Sequence, residues 1–116
     1  MLSPFVDSAL PTLECTLHFP PDASGLDSLT VAGMVLSVVT TLSDAEKTLG
    51  GTGLEPRESR VERGHTITLR LAPTSPHGAA ERFRALSLAL AAGNDDPLAA
   101  RLKRACPAVT RFEIAA

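Results

Sequence analysis

The sequence predicts an α+β domain with four strands and helices between them, and three observations carry that prediction. Thr12–Phe19 (TLECTLHF) and His65–Leu71 (HTITLRL) alternate apolar and polar residues, the pattern of strands with one face in a core. Leu29–Leu49 is long and apolar, with Val31, Val35, Val38, Leu42 and Leu49 along one helical stripe and Met34 and Ala45 beside it. Clusters of Pro, Gly, Asn and Asp separate these segments from one another.

Taken in order, residues 1–11 contain Pro4 and Pro11 and no sustained period. They read as an N-terminal arm that lays Leu2, Phe5, Val6 and Leu10 on the body. In the first strand Leu13, Cys15, Leu17 and Phe19 face the core, while Glu14, Thr16 and His18 face outward. Pro20–Gly25 ends it, and Asp27 or Ser28 supplies the oxygen that caps the long helix. That helix is rich in β-branched residues, which makes a strand a rival reading. Its length without a turn residue decides for a helix. Gly50-Gly51-Thr52-Gly53 serves as its C-terminal cap.

Leu54–Arg63 is heavily charged and reads as an edge strand, turning through Arg63-Gly64-His65 into His65–Leu71. Ser75-Pro76 suits a helix cap and first residue. The helix that follows buries Ala79, Ala80, Phe83, Leu86, Leu88 and Leu90, keeps Glu81, Arg82 and Arg84 wet, and ends at Gly93-Asn94. Asp95-Asp96-Pro97 opens a shorter helix over Leu98, Leu102 and Ala105, acidic at its start and basic at its end as the helix dipole favours. After Cys106-Pro107, Ala108–Ile114 is a last strand with Thr110, Phe112 and Ile114 on one face. The order is β-α-β-β-α-(α)-β. Two βαβ crossovers joined by a hairpin give a ferredoxin-like sandwich, a four-stranded antiparallel sheet of order 4-1-3-2 with its helices on one face.

The chain of 116 residues is expected to be one domain, 1–116, large enough to bury a core without staples. Nine Arg against two Lys, with abundant Ala, Gly and Pro, suggests a GC-rich bacterial gene. A net charge of −2 with interspersed signs gives no footprint for nucleic acid or anionic lipid. The outward positions of the central strands also lack the aromatics on which an RNA-recognition motif stacks bases. The first ten residues have neither the basic start nor the apolar run of a signal peptide. Hydroxyl residues and Gly33 dilute Leu29–Leu49, which argues for a core helix over a membrane span. A cytoplasmic protein is the expectation, with no membrane and no nucleic acid among its partners.

No motif carries recognisable chemistry. Cys15 faces the core and Cys106 lies far from it in sequence, at no metal or redox spacing. His18, His65 and His77 have no second ligand at a telling interval, so no metal and no cofactor is expected. The glycines of LGGTG follow a helix and precede a strand, the reverse of a phosphate loop. Ser75, His77 and Glu81 form the only acid–base-like cluster, and Ser75 is better explained as a cap. No catalytic residue is assigned.

The candidate binding surface is the uncovered sheet face. By alternation it carries Glu14, Thr16 and His18; Thr66, Thr68 and Arg70; and, from the edges, some of Glu58, Arg60 and Glu62, with Val109, Arg111 and Glu113. Glu14, His18, Arg60, Thr66, Thr68, Arg70 and Arg111 are the residues selected from it.

Within Val35–Leu71 an apolar helix ends in Leu49-Gly50-Gly51, a Val61-Glu62-Arg63-Gly64 turn follows, and then a Thr66-Ile67-Thr68-Leu69 strand. This segment resembles small bacterial α/β adaptor domains of the TRADD-N-like group, found with effector modules of prokaryotic conflict systems. The resemblance implies a non-catalytic module that couples a sensor to an effector through a protein partner or self-association. Two other classes stay open: a small-molecule regulatory domain or dimeric ferredoxin-like enzyme, with His18, Arg70 or His77 in a cavity, and a structural subunit of a larger assembly. The long helix, apolar on most sides, is expected to turn one face to something beyond this chain.

Overall fold

The computed structural model describes residues 11–20, 28–62, 66–91 and 97–115. Its elements are β1 (Leu13–His18), α1 (Ser28–Thr48), β2 (Leu54–Glu62), β3 (Thr66–Pro73), α2 (Ala79–Ala91), α3 (Pro97–Ala105) and β4 (Arg111–Ala115). The arm over residues 1–10, the capping side chains of Asp27 and Ser28, the 63–65 turn and the 93–96 segment lie outside the described residues.

The strands form one antiparallel sheet in the order β2-β3-β1-β4. This is the ferredoxin-like order expected from the alternation. Period-two patterning fixes the register, because a slip of one residue would turn every apolar side chain to water. Leu13 lies opposite Leu71, Cys15 opposite Leu69 and Leu17 opposite Ile67. Phe112 and Ile114 of β4 complete the inner rows against Leu17 and Cys15. Val38 and Leu42 of α1, Phe83 and Leu86 of α2, and Leu98 and Leu102 of α3 close over that face. Each such side chain contributes roughly 1.5–3 kcal/mol on full burial.

The C-terminal end of α1 bears out its glycine cap. Gly50 adopts φ 102°, and its N–H donates to the Lys47 carbonyl at 3.0 Å while that of Gly51 donates to the Glu46 carbonyl at 3.0 Å. These two bonds satisfy carbonyls that a helix end leaves open. Leu49 lies past the helix and is exposed, so it does not extend the inner stripe.

The largest departure from the expected pattern is a buried ion pair. Arg82, expected on the wet side of α2, is 9% exposed, and Glu46 of α1 is 0% exposed. Helical spacing explains both. Arg82 falls on the stripe of Ala79, Phe83 and Leu86, and Glu46 stands one turn after Leu42 on the stripe of Val38. The Arg82 Nε donates to Glu46 Oε2 at 2.6 Å. Its two terminal nitrogens donate to the carbonyls of His77 at 2.7 Å and Ser75 at 2.6 Å. The second Glu46 oxygen accepts from the Gly53 N–H at 2.8 Å. Gly51 makes room for this carboxylate, since a Cβ there would overlap it.

Other boundaries shift for local reasons. Ser75-Pro76 does not open α2. The chain turns first through Gly78 at φ 73°, with the Ala79 N–H on the Pro76 carbonyl at 3.1 Å, and the helix starts at Ala79. Leu88 is 65% exposed, because it lies about 200° around α2 from both Leu86 and Leu90. Ala80 is exposed too. Val109, expected on the uncovered sheet face, is instead fully buried in the turn before β4, where its N–H donates to Cys106. Thr110, expected beside Phe112, is exposed and ties itself to the His18 carbonyl through its N–H at 2.7 Å and its hydroxyl at 2.9 Å.

Removing either partner strands the other charge in the core, so Arg82→Met is expected to lower unfolding free energy by about 3–5 kcal/mol in urea denaturation. Glu46→Leu combined with Arg82→Met is expected to cost less than the two single changes added together. Additive losses would show that the two side chains act independently. Gly51→Ala is expected to destabilise as well, by displacing the carboxylate.

Candidate functional site

The register places all seven selected residues on the uncovered face. Across the sheet, Glu58, Arg70 and Glu14 form one row. Arg60, Thr68, Thr16 and Glu113 form the second, and Glu62, Thr66, His18 and Arg111 the third.

Neighbours in these rows largely satisfy one another. Arg70 lies 3.6 Å from Glu58, and the Thr68 hydroxyl donates to Glu62 at 3.1 Å. His18 Nε2 is paired with Glu113, whose carboxylate also meets Arg111 at 3.2 Å. Opposite charges in adjacent strands of an exposed sheet contribute a few tenths of a kcal/mol each. Among the described residues the face is a solvated lattice of cross-strand pairs with no aromatic anchor.

The apolar surface lies on the other side, at the β2 edge. Ser43 Oγ bridges the N–H and carbonyl of Leu54 at 3.1 and 3.2 Å, clamping the second half of α1 to the start of β2. Towards its N-terminus α1 then flanks a groove of about 680 Å³, lined by Val31, Val35, Leu36 and Val39 together with Pro56 and Val61 of β2. Among the described residues Ser59 is the only polar one in the lining. Leu36 is 68% exposed, Val61 47%, and Leu29, at the start of α1, 84%. Exposed apolar residues gathered on one surface mark interaction sites, whereas scattered ones do not.

The patterning of α1 held a signal for this groove. Leu29, Gly33, Leu36 and Thr40 recur at helical spacing on the side away from Val38 and Leu42. Of these Leu36 lines the groove, and Val31, Val35 and Val39 line it from the flank of the core stripe. By length and composition Leu29–Thr48 is apolar enough to cross a membrane, and 22% of it is buried. Val38, Leu42 and the Arg82-paired Glu46 join its second half to the core.

A second depression, of about 830 Å³, lies near the start of β1 and β2 and contains Glu14, Glu55, Arg57, Arg70 and Thr74. Of the three residues expected in a ligand cavity it includes Arg70. His18 pairs with Glu113 on the sheet, and His77 is exposed on the turn before α2, lending its carbonyl to Arg82.

Among the described residues no three His, Cys, Asp or Glu side chains gather as a metal site. Ser75 likewise turns its carbonyl to Arg82. Both cysteines are free and buried. Burial, with Cys106 nearby, pushes the Cys15 thiol up to about 12, and burial raises that of Cys106. Neither is poised as a nucleophile at neutral pH.

No family model matches the chain, and no curated protein matches it significantly.

The hydrogen bond from His18, with Arg111 adding its charge, holds the Glu113 carboxyl below its ordinary 4.5. A carboxyl lowered in the folded state adds stability above its unfolded pKa, and that stability is lost as pH falls through the folded value. An NMR titration is expected to place the Glu113 midpoint below 4.5, and His18→Ala to move it upward. An unmoved midpoint would remove His18 as the cause.

Proposed function

We propose that this domain is a non-catalytic protein-interaction module whose working surface is the α1–β2 groove. The observation that carries the reading is the exposure of Leu36 and Val61 beside a groove whose described lining is apolar but for Ser59. Such a surface gains free energy when an apolar protein surface covers it. The resemblance of Val35–Leu71 to TRADD-N-like adaptor domains supports the same reading, because that segment includes most of α1, all of β2 and most of β3. In this role the domain is a bacterial cytoplasmic adaptor that couples a sensor to an effector. The sheet face with Glu14, His18, Arg70 and Arg111 then acts as a polar surround that discriminates between partners.

The polar depression, in which Arg57 and Arg70 face Glu14 and Glu55, supports a second reading, a regulatory domain for a small polar metabolite. A ligand that binds only the folded state raises its melting temperature. A carboxylate and phosphate-ester panel that leaves the melting temperature unchanged would count against it.

A photo-reactive amino acid placed at Leu36 in the native cell is expected to give a discrete protein adduct, identified by mass spectrometry. The same probe at Thr68 on the sheet face is expected to give much less. Adducts at Thr68 alone would move the working surface to the open sheet, and adducts at neither position would sink the interaction reading.

A further inference from the structure

β2 is an edge strand, with Pro56 and a bulge at Arg57 near its start. Beyond the bulge, Glu58, Arg60 and Glu62 project on the open face, while Ser59 and Val61 project towards α1. Pairing this strand antiparallel with itself about a two-fold axis at Ser59 sets Glu58 against Arg60 of a second copy. Symmetry then sets Arg60 against the second copy's Glu58. Sliding the axis by one residue sets Arg60 against Arg60 and Glu58 against Glu62, and like charges directly opposite one another repel. The Glu-x-Arg-x-Glu alternation therefore accepts an axis at Ser59, as it does one at Val61 where Arg60 meets Glu62, and rejects the register between them.

The helix side fits the same axis. Val35 and Leu36 line the groove with Ser59, so an axis at Ser59 brings these residues of both copies together over the seam. Gly33 stands in open space, where an added Cβ would meet nothing, and with Ala32 it lets a second helix approach closely. The exposed side chains of Leu29, Leu36 and Val61 amount to a few hundred Å² of apolar surface. Adding the β2 backbone edge and its charged side chains brings the covered area towards the roughly 800 Å² per partner of a stable interface.

We propose that a second copy of this chain covers the groove, the two β2 strands joining antiparallel about Ser59 with both α1 helices packed over the seam. The proposal rests on the reading of the α1–β2 groove as a protein-binding surface.

Sedimentation equilibrium of the purified full chain tests it, with Leu36→Asp, Glu58→Arg and Arg60→Glu compared singly. The wild type is expected to have twice the chain mass at micromolar concentration, and each variant to weaken association by about tenfold or more. An equimolar mixture of Glu58→Arg and Arg60→Glu is expected to regain association, since a strand with two positive charges then faces one with two negative charges. Far-UV circular dichroism checks folding, with Leu36→Asn used if Leu36→Asp unfolds. A wild type that stays monomeric at all concentrations overturns the proposal. So does a dimer indifferent to the charge variants, or a chain that leaves solution for phosphatidylcholine–phosphatidylglycerol vesicles. If the wild type is monomeric while the Leu36 probe labels a different protein, the second copy is wrong and the interaction reading stands. If no adduct forms either, both fall.

Discussion

The Glu46–Arg82 pair is the constraint on which the rest of the molecule depends. Taking two charges out of water costs several kcal/mol per ion, and their attraction offsets this only when the remaining donors and acceptors find partners. Here they do. Arg82 reaches Glu46, His77 and Ser75, and the second Glu46 oxygen holds the Gly53 N–H. Among the described residues no buried side-chain nitrogen or oxygen lacks a partner. The pair joins the end of α1, the glycine loop into β2, the turn after β3 and the start of α2. It thus connects the two crossover units at one point and sets how α1 lies against α2.

That anchoring has a consequence for α1. The second half of the helix is held by Glu46, by the Ser43–Leu54 clamp and by the burial of Val38 and Leu42. The first half keeps Val31 and Val35 half-buried against the core and leaves Leu29 and Leu36 outside it. A helix fixed at one end can present an apolar stripe at the other without needing that stripe for its own stability. Fold and proposed binding surface are divided along a single element.

What was legible in the sequence follows from period. Leu13, Cys15 and Leu17, with Ile67, Leu69 and Leu71, gave the two central strands and the sheet order, and of the residues assigned to the uncovered face only Val109 lies elsewhere. Gly50 and Gly51 gave the helix cap, because only a left-handed residue closes a helix that way. The ion pair was not legible, since reading Arg82 by its polarity put it in water although its position on the stripe put it inside. Leu88 is the same error reversed, an apolar residue counted by type while it sits on the far side of α2. Val109 was misplaced because the turn after Cys106-Pro107 delays β4 to Arg111, so the strand's alternation does not reach back to it. The groove was missed because Val31 and Val35, which line it, were read as fully covered core positions.

Energetics separates the two surfaces. Covering the sheet face would strip water from Glu58–Arg70 and from the His18–Glu113–Arg111 cluster, whose exposed pairs contribute at most about 1 kcal/mol each. Little is gained by desolvating charges that already have partners. Covering Leu29, Leu36 and Val61 gains about 25 cal/mol for each Å² of apolar surface removed from water. The driving force for association therefore lies in the groove, while the charges decide which arrangements are allowed. β2 contributes to both, because alternation sends Val61 into the groove and Glu58 and Arg60 to the sheet face on the same exposed edge. A partner that fills the groove must meet those charges in register, and a strand with this alternation is matched by its own antiparallel copy.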